Sequence, residues 1–164
     1  MLDKKFWLGI LVMTLVFGMT VVDSAFGQDT ALNGKWRLKE SRYGGYVDDS
    51  KVNYIVQYTF LAGNYETRRD PGSGEVPFEK GTYTTNSKGE IILKPTHCFD
   101  EMGKKWYSKN DFIKNMKSNG YTDAEIKEEF EDEEMFIDRS FVYSIGSTTL
   151  ELYQGREKIT YYKR

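Results

Sequence analysis

The chain has 164 residues, a formal charge of −2, 15% aromatic residues and a single cysteine, Cys98. That charge balance lacks the basic footprint needed to bind a phosphate backbone, so no nucleic-acid partner is expected. One cysteine rules out an internal disulfide framework, and the core must hold the fold; 12 Tyr and 10 Phe supply its material.

Lys4 and Lys5 open the chain with positive charge, residues 6–22 are almost wholly apolar, and small residues follow at Ala25 and Gly27. These are the three regions of a secretory signal peptide. The uninterrupted apolar core is shorter than the roughly 20 residues that span a bilayer comfortably. The expectation is a signal peptide over residues 1–27, cut after Gly27, with membrane contact only during export. Residues 28–164 then form one extracytoplasmic domain, periplasmic or secreted. A lipoprotein anchor would need a cysteine directly after the apolar run, and Cys98 is far from it.

From residue 35 onward, apolar and polar residues alternate in short runs separated by Gly, Asn, Asp and Ser. Period two marks half-buried strands. Strands are expected over residues 35–41, 52–61, 65–69, 76–85, 90–96, 137–145, 148–154 and 158–163. In the clearest of them Tyr54, Val56, Tyr58 and Phe60 share the core face, with Asn53, Gln57 and Thr59 opposite. Turns fall at 62–64, 70–74, 86–89, 146–147 and 155–156, and Gly81 marks a bulge or a close approach of two backbones.

Residues 108–134 break the alternation. Ser108 can cap a helix with Asp111 at its third position, Phe112, Ile113 and Met116 form its apolar stripe, and Gly120 ends it. Thr122 and Glu125 form a capping box that opens a second helix, with Ile126 and Phe130 on one face. A helical hairpin is therefore inserted into a β meander. An open sheet of about eight strands would leave two unpaired edges, whereas closure removes them. The expected fold class is mainly β: an antiparallel up-and-down barrel of about eight strands with the hairpin inserted. Such a barrel holds packed side chains or one small ligand.

Leu32-Asn33-Gly34-Lys35-Trp36, the glycine-punctuated strands and the closing run of residues 159–164 resemble the lipocalin-like (calycin) barrels, particularly small exported bacterial members. In that family a Gly-x-Trp opens the first strand, its Trp plugs the closed end, and a basic residue near the last strand packs over the ring. Gly34 and Trp36 match the first element; Lys163 or Arg164 is the candidate for the second. The chain departs from animal lipocalins in lacking disulfide cysteines and in carrying the helical hairpin.

If the barrel holds a ligand, Tyr54, Tyr58, Phe60, Tyr83, Phe141 and Tyr143 are the expected lining; otherwise they pack the core. His97 and Cys98 are neighbours on a strand and should face opposite ways, so no Cys-His pair, no catalytic group and no metal or other cofactor is expected. The acidic run at 125–134 lacks a calcium-loop pattern and reads as a solvated helix face. Two functional readings follow. The first is an exported, non-catalytic barrel binding a small apolar or amphipathic ligand at its open end, with the hairpin as lid or plug. The alternative is a module that contacts an envelope or host protein through the acidic hairpin.

Overall fold

The computed structural model describes residues 27–43, 46–48, 55–132 and 135–164. The expected leader lies outside these residues except for Gly27, and so does Tyr54. In chain order the described elements are β1 (Gly34–Tyr43), β2 (Tyr46–Asp48), β3 (Ile55–Leu61), β4 (Asn64–Arg69), β5 (Val76–Thr85), β6 (Glu90–Asp100), β7 (Lys105–Ser108), α1 (Lys109–Ser118), α2 (Asp123–Asp132), β8 (Arg139–Ile145), β9 (Thr149–Gln154) and β10 (Glu157–Lys163).

Eight of these strands, in the order β1-β3-β4-β5-β6-β8-β9-β10, pair antiparallel with their neighbours, and β10 returns to β1 to close the barrel. The remaining two are short extensions: β2 pairs with the end of β1, and β7 with the end of β6. The alternation had suggested a strand ending near residue 96. Instead β6 takes up an extra residue, Thr96, opposite the Lys80/Gly81 step and runs on to Asp100. A bulge that restarts the pleat hides such a continuation from a period-two reading.

The two helices form where their caps predict. Asp111 N–H donates to Ser108 Oγ at 3.2 Å, which opens α1. At α2, Thr122 N–H donates to Glu125 Oε2 at 2.7 Å and Glu125 N–H to Thr122 Oγ1 at 3.3 Å, a reciprocal box that lowers the Glu125 pKa through the Thr122 backbone hydrogen bond. Among the described residues no helix is long and apolar enough to cross a membrane.

The core runs up the barrel axis from Leu32 and Trp36. Tyr58 and Phe60 stack at 5.5 Å, Phe60 meets Tyr83 edge-on at 5.0 Å, and Tyr58 meets Tyr161 edge-on at 5.2 Å. Ile91, Leu93, Leu150 and Leu152 fill the spaces between these rings. Each such side chain removed from water contributes roughly 1.5–3 kcal/mol, and the offset and edge-on ring contacts add to that. At the floor, Trp36 Nε1 donates to the Leu32 carbonyl at 2.6 Å, so the indole is buried without an orphaned donor. Gly34, at φ +133°, lies directly under Lys163: a Cβ there would stand 3.1 Å from Lys163 Cε.

Gly27 pairs with Thr85 through two backbone hydrogen bonds of 2.9 and 2.7 Å. Cleavage after Gly27 would remove that bridge but keep the Asp29 N–H on Thr85 Oγ1 at 3.1 Å.

Candidate functional site

β5 decides what the upper barrel contains. Its inward phase, counted back from the core residue Tyr83, passes Gly81 and reaches Glu79. Between Glu66/Arg68 on β4 and Pro77/Lys80 on β5 the register shifts, so that Phe78 and Glu79 together oppose Thr67. The bulge buries both, and Thr67 Oγ1 clasps it by accepting from Glu79 N–H and donating to Glu79 O, each at 3.2 Å.

The Glu79 carboxylate is 0% exposed and faces Arg139, which opens β8 across the barrel interior. Arg139 Nη2 donates to Glu79 Oε1, and Tyr65 OH donates to the same oxygen at 2.9 Å. Glu79 Oε2 and Arg139 Nε, both buried, have no hydrogen-bond partner. Burial pushes the Tyr65 hydroxyl far above its ordinary range, the nearby Arg139 charge offsetting only part of that. Cys98 sits directly across from Glu79 on β6, 2% exposed, its thiol pushed up to about 11, chiefly by burial.

Over this polar layer lie β7 and the helices. Phe112 of α1 packs on Tyr107 at 6.2 Å and on Phe130 of α2 at 5.6 Å, and Phe136 completes the cluster at 5.4 Å from Phe130. Phe136 holds φ at +57°, a left-handed conformation that costs a bulky residue about 1–3 kcal/mol and persists because its ring is packed. The inserted hairpin thus packs beside β6 and β7, at the end of the barrel opposite Trp36, with its own small aromatic core.

Of the expected cavity lining, Tyr58, Phe60, Tyr83 and Phe141 are buried together in the barrel core. Tyr143 lies at the closed end, where its hydroxyl donates to Asp29 Oδ2 at 2.8 Å; burial first, then the Asp29 carboxylate, raises its pKa to about 12. Lys163 places its ammonium 5.2 Å from the centre of the Trp36 ring, while Arg164 bonds through its backbone N–H to Lys35 O at 2.9 Å. His97 and Cys98 occupy opposite faces of β6: Cys98 is buried, and His97 lines a groove on the outer wall. No group of three or more His, Cys, Asp or Glu side chains among the described residues is placed to hold a metal ion. The acidic residues Glu125, Glu128, Glu129 and Glu131 of α2 are exposed.

The same closed topology occurs in solved structures. A lipocalin-like protein from Bacteroides uniformis aligns over 82% of this chain and 99% of its own, with a TM-score of 0.50 and 16% identity. The chain has a lipocalin-like fold. An uncharacterized protein from Bacteroides eggerthii shares it, over 81% of this chain and 99% of its own, with a TM-score of 0.50 and 22% identity. No protein-family model and no curated protein matches the sequence. At these identities the lipocalin-like likeness concerns the backbone, so the chemistry of the site rests on this chain's own residues.

The Glu79–Arg139 pair escapes a reading that looks for aromatic linings. Its signal was nonetheless present: a glutamate two and four residues before Gly81 and Tyr83 on one strand face, and an arginine opening the strand that carries Phe141.

Proposed function

We propose that this protein is an exported, non-catalytic lipocalin-like barrel that takes a small amphipathic molecule at the end covered by α1 and α2. The carrying observation is the Glu79–Arg139 pair. Replacing a buried ion pair with apolar residues of similar volume is often neutral or stabilising, so its place inside the barrel is poorly accounted for by stability. One acceptor, Glu79 Oε2, and one donor, Arg139 Nε, stand unpartnered there. A ligand hydroxyl or amide that donates to the first and accepts from the second would satisfy both. The ligand's apolar part would lie beneath the Phe112–Phe130–Phe136 cluster, and the helical pair would swing aside to admit it. The apolar leader at residues 6–22 supports export.

Native mass spectrometry of the protein recovered after export tests this reading. The expected result is a small-molecule adduct, or stabilisation by a member of a panel of fatty acids, lysolipids and haem. Either should be lost in Glu79→Leu/Arg139→Met, which keeps the packing and removes the charges. Absence of any adduct and any stabilisation, or retention of both in the double variant, would overturn it.

A further inference from the structure

The outer wall of the barrel carries a groove of about 410 Å³ across β3 to β6, a volume in the range of small-molecule clefts. It lies outside the barrel, and nothing argued for the interior bears on it. Its floor crosses two irregularities in the wall. Thr96 is the extra residue of the β6 bulge, and at Gly81 the β5 backbone runs so close to β6 that a Cβ would stand 2.0 Å from Lys94 O. Bulges of this kind re-aim side chains locally.

The bulge sets Thr96 beside His97: Thr96 Oγ1 lies 3.3 Å from Lys80 O and 2.9 Å from His97 Nδ1. A carbonyl oxygen can only accept, so when the hydroxyl gives its proton to Lys80 O it accepts that of Nδ1. In the neutral ring the lone pair is then on Nε2, the nitrogen left for the groove that His97 lines.

Glu66 and Lys80 stand directly opposite each other on β4 and β5, an arrangement of opposite charges that ordinarily closes into an ion pair. Here the Lys80 ammonium rests 4.6 Å from the centre of the Trp106 ring, and Glu66 has no ion pair among the described residues. The groove therefore offers two acceptors, the Glu66 carboxylate and His97 Nε2. A cation lies at its margin, Thr59 and Thr82 line it, and Leu61 is an exposed apolar lip.

We propose that this groove is a second binding site, for an uncharged, hydroxyl-rich molecule of the mono- or disaccharide kind. Hydroxyl protons suit the two acceptors, hydroxyl oxygens suit Lys80 and the threonines, and the C–H face of a sugar ring suits Leu61. The opposed charges of Glu66 and Lys80 leave the groove without a net charge to reward an ionic ligand, and Lys80 repels an ammonium that Glu66 would otherwise attract. A carboxylate or phosphate meets Glu66 with the same penalty.

Titration of the 15N-labelled protein with maltose and N-acetylglucosamine, with glucosamine and glucose 6-phosphate as charged counterparts, tests the site. The neutral sugars should shift the amides of Thr59, Glu66, Thr82 and His97 and leave the Trp36 indole unmoved. Glu66→Gln and His97→Ala should each weaken binding about tenfold, with the thermal melt of at least Glu66→Gln unchanged. No shift in the groove at millimolar neutral sugar, equal or tighter binding of a charged counterpart, or unaltered affinity in a folded Glu66→Gln protein would each overturn the proposal.

Discussion

The two ends of this barrel are built on opposite principles. At the closed end the rings pack against one another and against aliphatic side chains, and the buried indole donor, Trp36 Nε1, has its acceptor in Leu32, while the hydroxyl of the core residue Tyr83 is buried without a partner. At the end beside the helices a buried carboxylate and a mostly buried guanidinium stand in place of apolar residues, two of their polar atoms are unpartnered, and a phenylalanine is held at positive φ. Apolar packing serves stability, and a charged pair left with unpartnered atoms inside a barrel marks where the molecule has work to do besides staying folded.

Substitutions should separate the two ends. Trp36→Ala should cost about 3–5 kcal/mol in denaturant unfolding, because it opens a large void in a floor that has nothing to refill it. Glu79→Leu alone should cost a similar amount, about 3–5 kcal/mol, by leaving Arg139 buried without its partner, whereas Glu79→Leu/Arg139→Met should return close to wild type. A double variant as damaged as the single one would show that the charged layer is structural after all, and the contrast would collapse.

A pH series sharpens the comparison further. The ordinary Cys98 thiol titrates near 9.0, and in the folded protein near 11. The folded state therefore binds this proton more tightly. The stability so contributed is complete below about pH 9 and is lost as pH rises through 11, by about 2–3 kcal/mol. Unfolding free energies measured from pH 8 to pH 11 should fall more steeply in wild type than in Cys98→Ala. Parallel curves would mean that the thiol is not buried opposite Glu79.

The smallest effect belongs to the closed end. Lys163→Met should cost only about 0.5–1 kcal/mol, because the ammonium over Trp36 is exposed to water and the methionine keeps most of the stem over the ring. A loss comparable to that of Trp36→Ala would make the lysine part of the plug.

Much of the closed end was legible in the sequence, because its determinants are local. Gly34 and Trp36 are two residues apart, and the alternation of β3 sorts Val56, Tyr58 and Phe60 from Gln57 and Thr59 by itself; the caps at Ser108 and Thr122, four-residue patterns, made the helices at the other end equally legible. The other end depended on departures from period two. Thr96 in β6 shifts the phase of everything beyond it, so β7 does not follow from counting along one strand; Glu79 and Arg139 each keep the inward phase of their own strands, and their meeting turns on the registers that join β5, β6 and β8. The choice between Lys163 and Arg164 was equally closed to sequence, since it turns on a one-residue register between β10 and β1.

Trp36 reports on the floor, and because Trp106 faces the outer wall beside Phe99 and Lys80, Phe112→Trp in a Trp106→Phe protein puts a separate reporter under the helices. Emission from that protein and from Trp106→Phe alone, titrated with whichever amphiphile stabilises the wild type, therefore tests the account most directly. Quenching of the reporter at position 112 with Trp36 unaffected is the predicted result. Quenching confined to Trp36 would place the ligand at the floor and contradict the division of the barrel into a packed end and a receiving one.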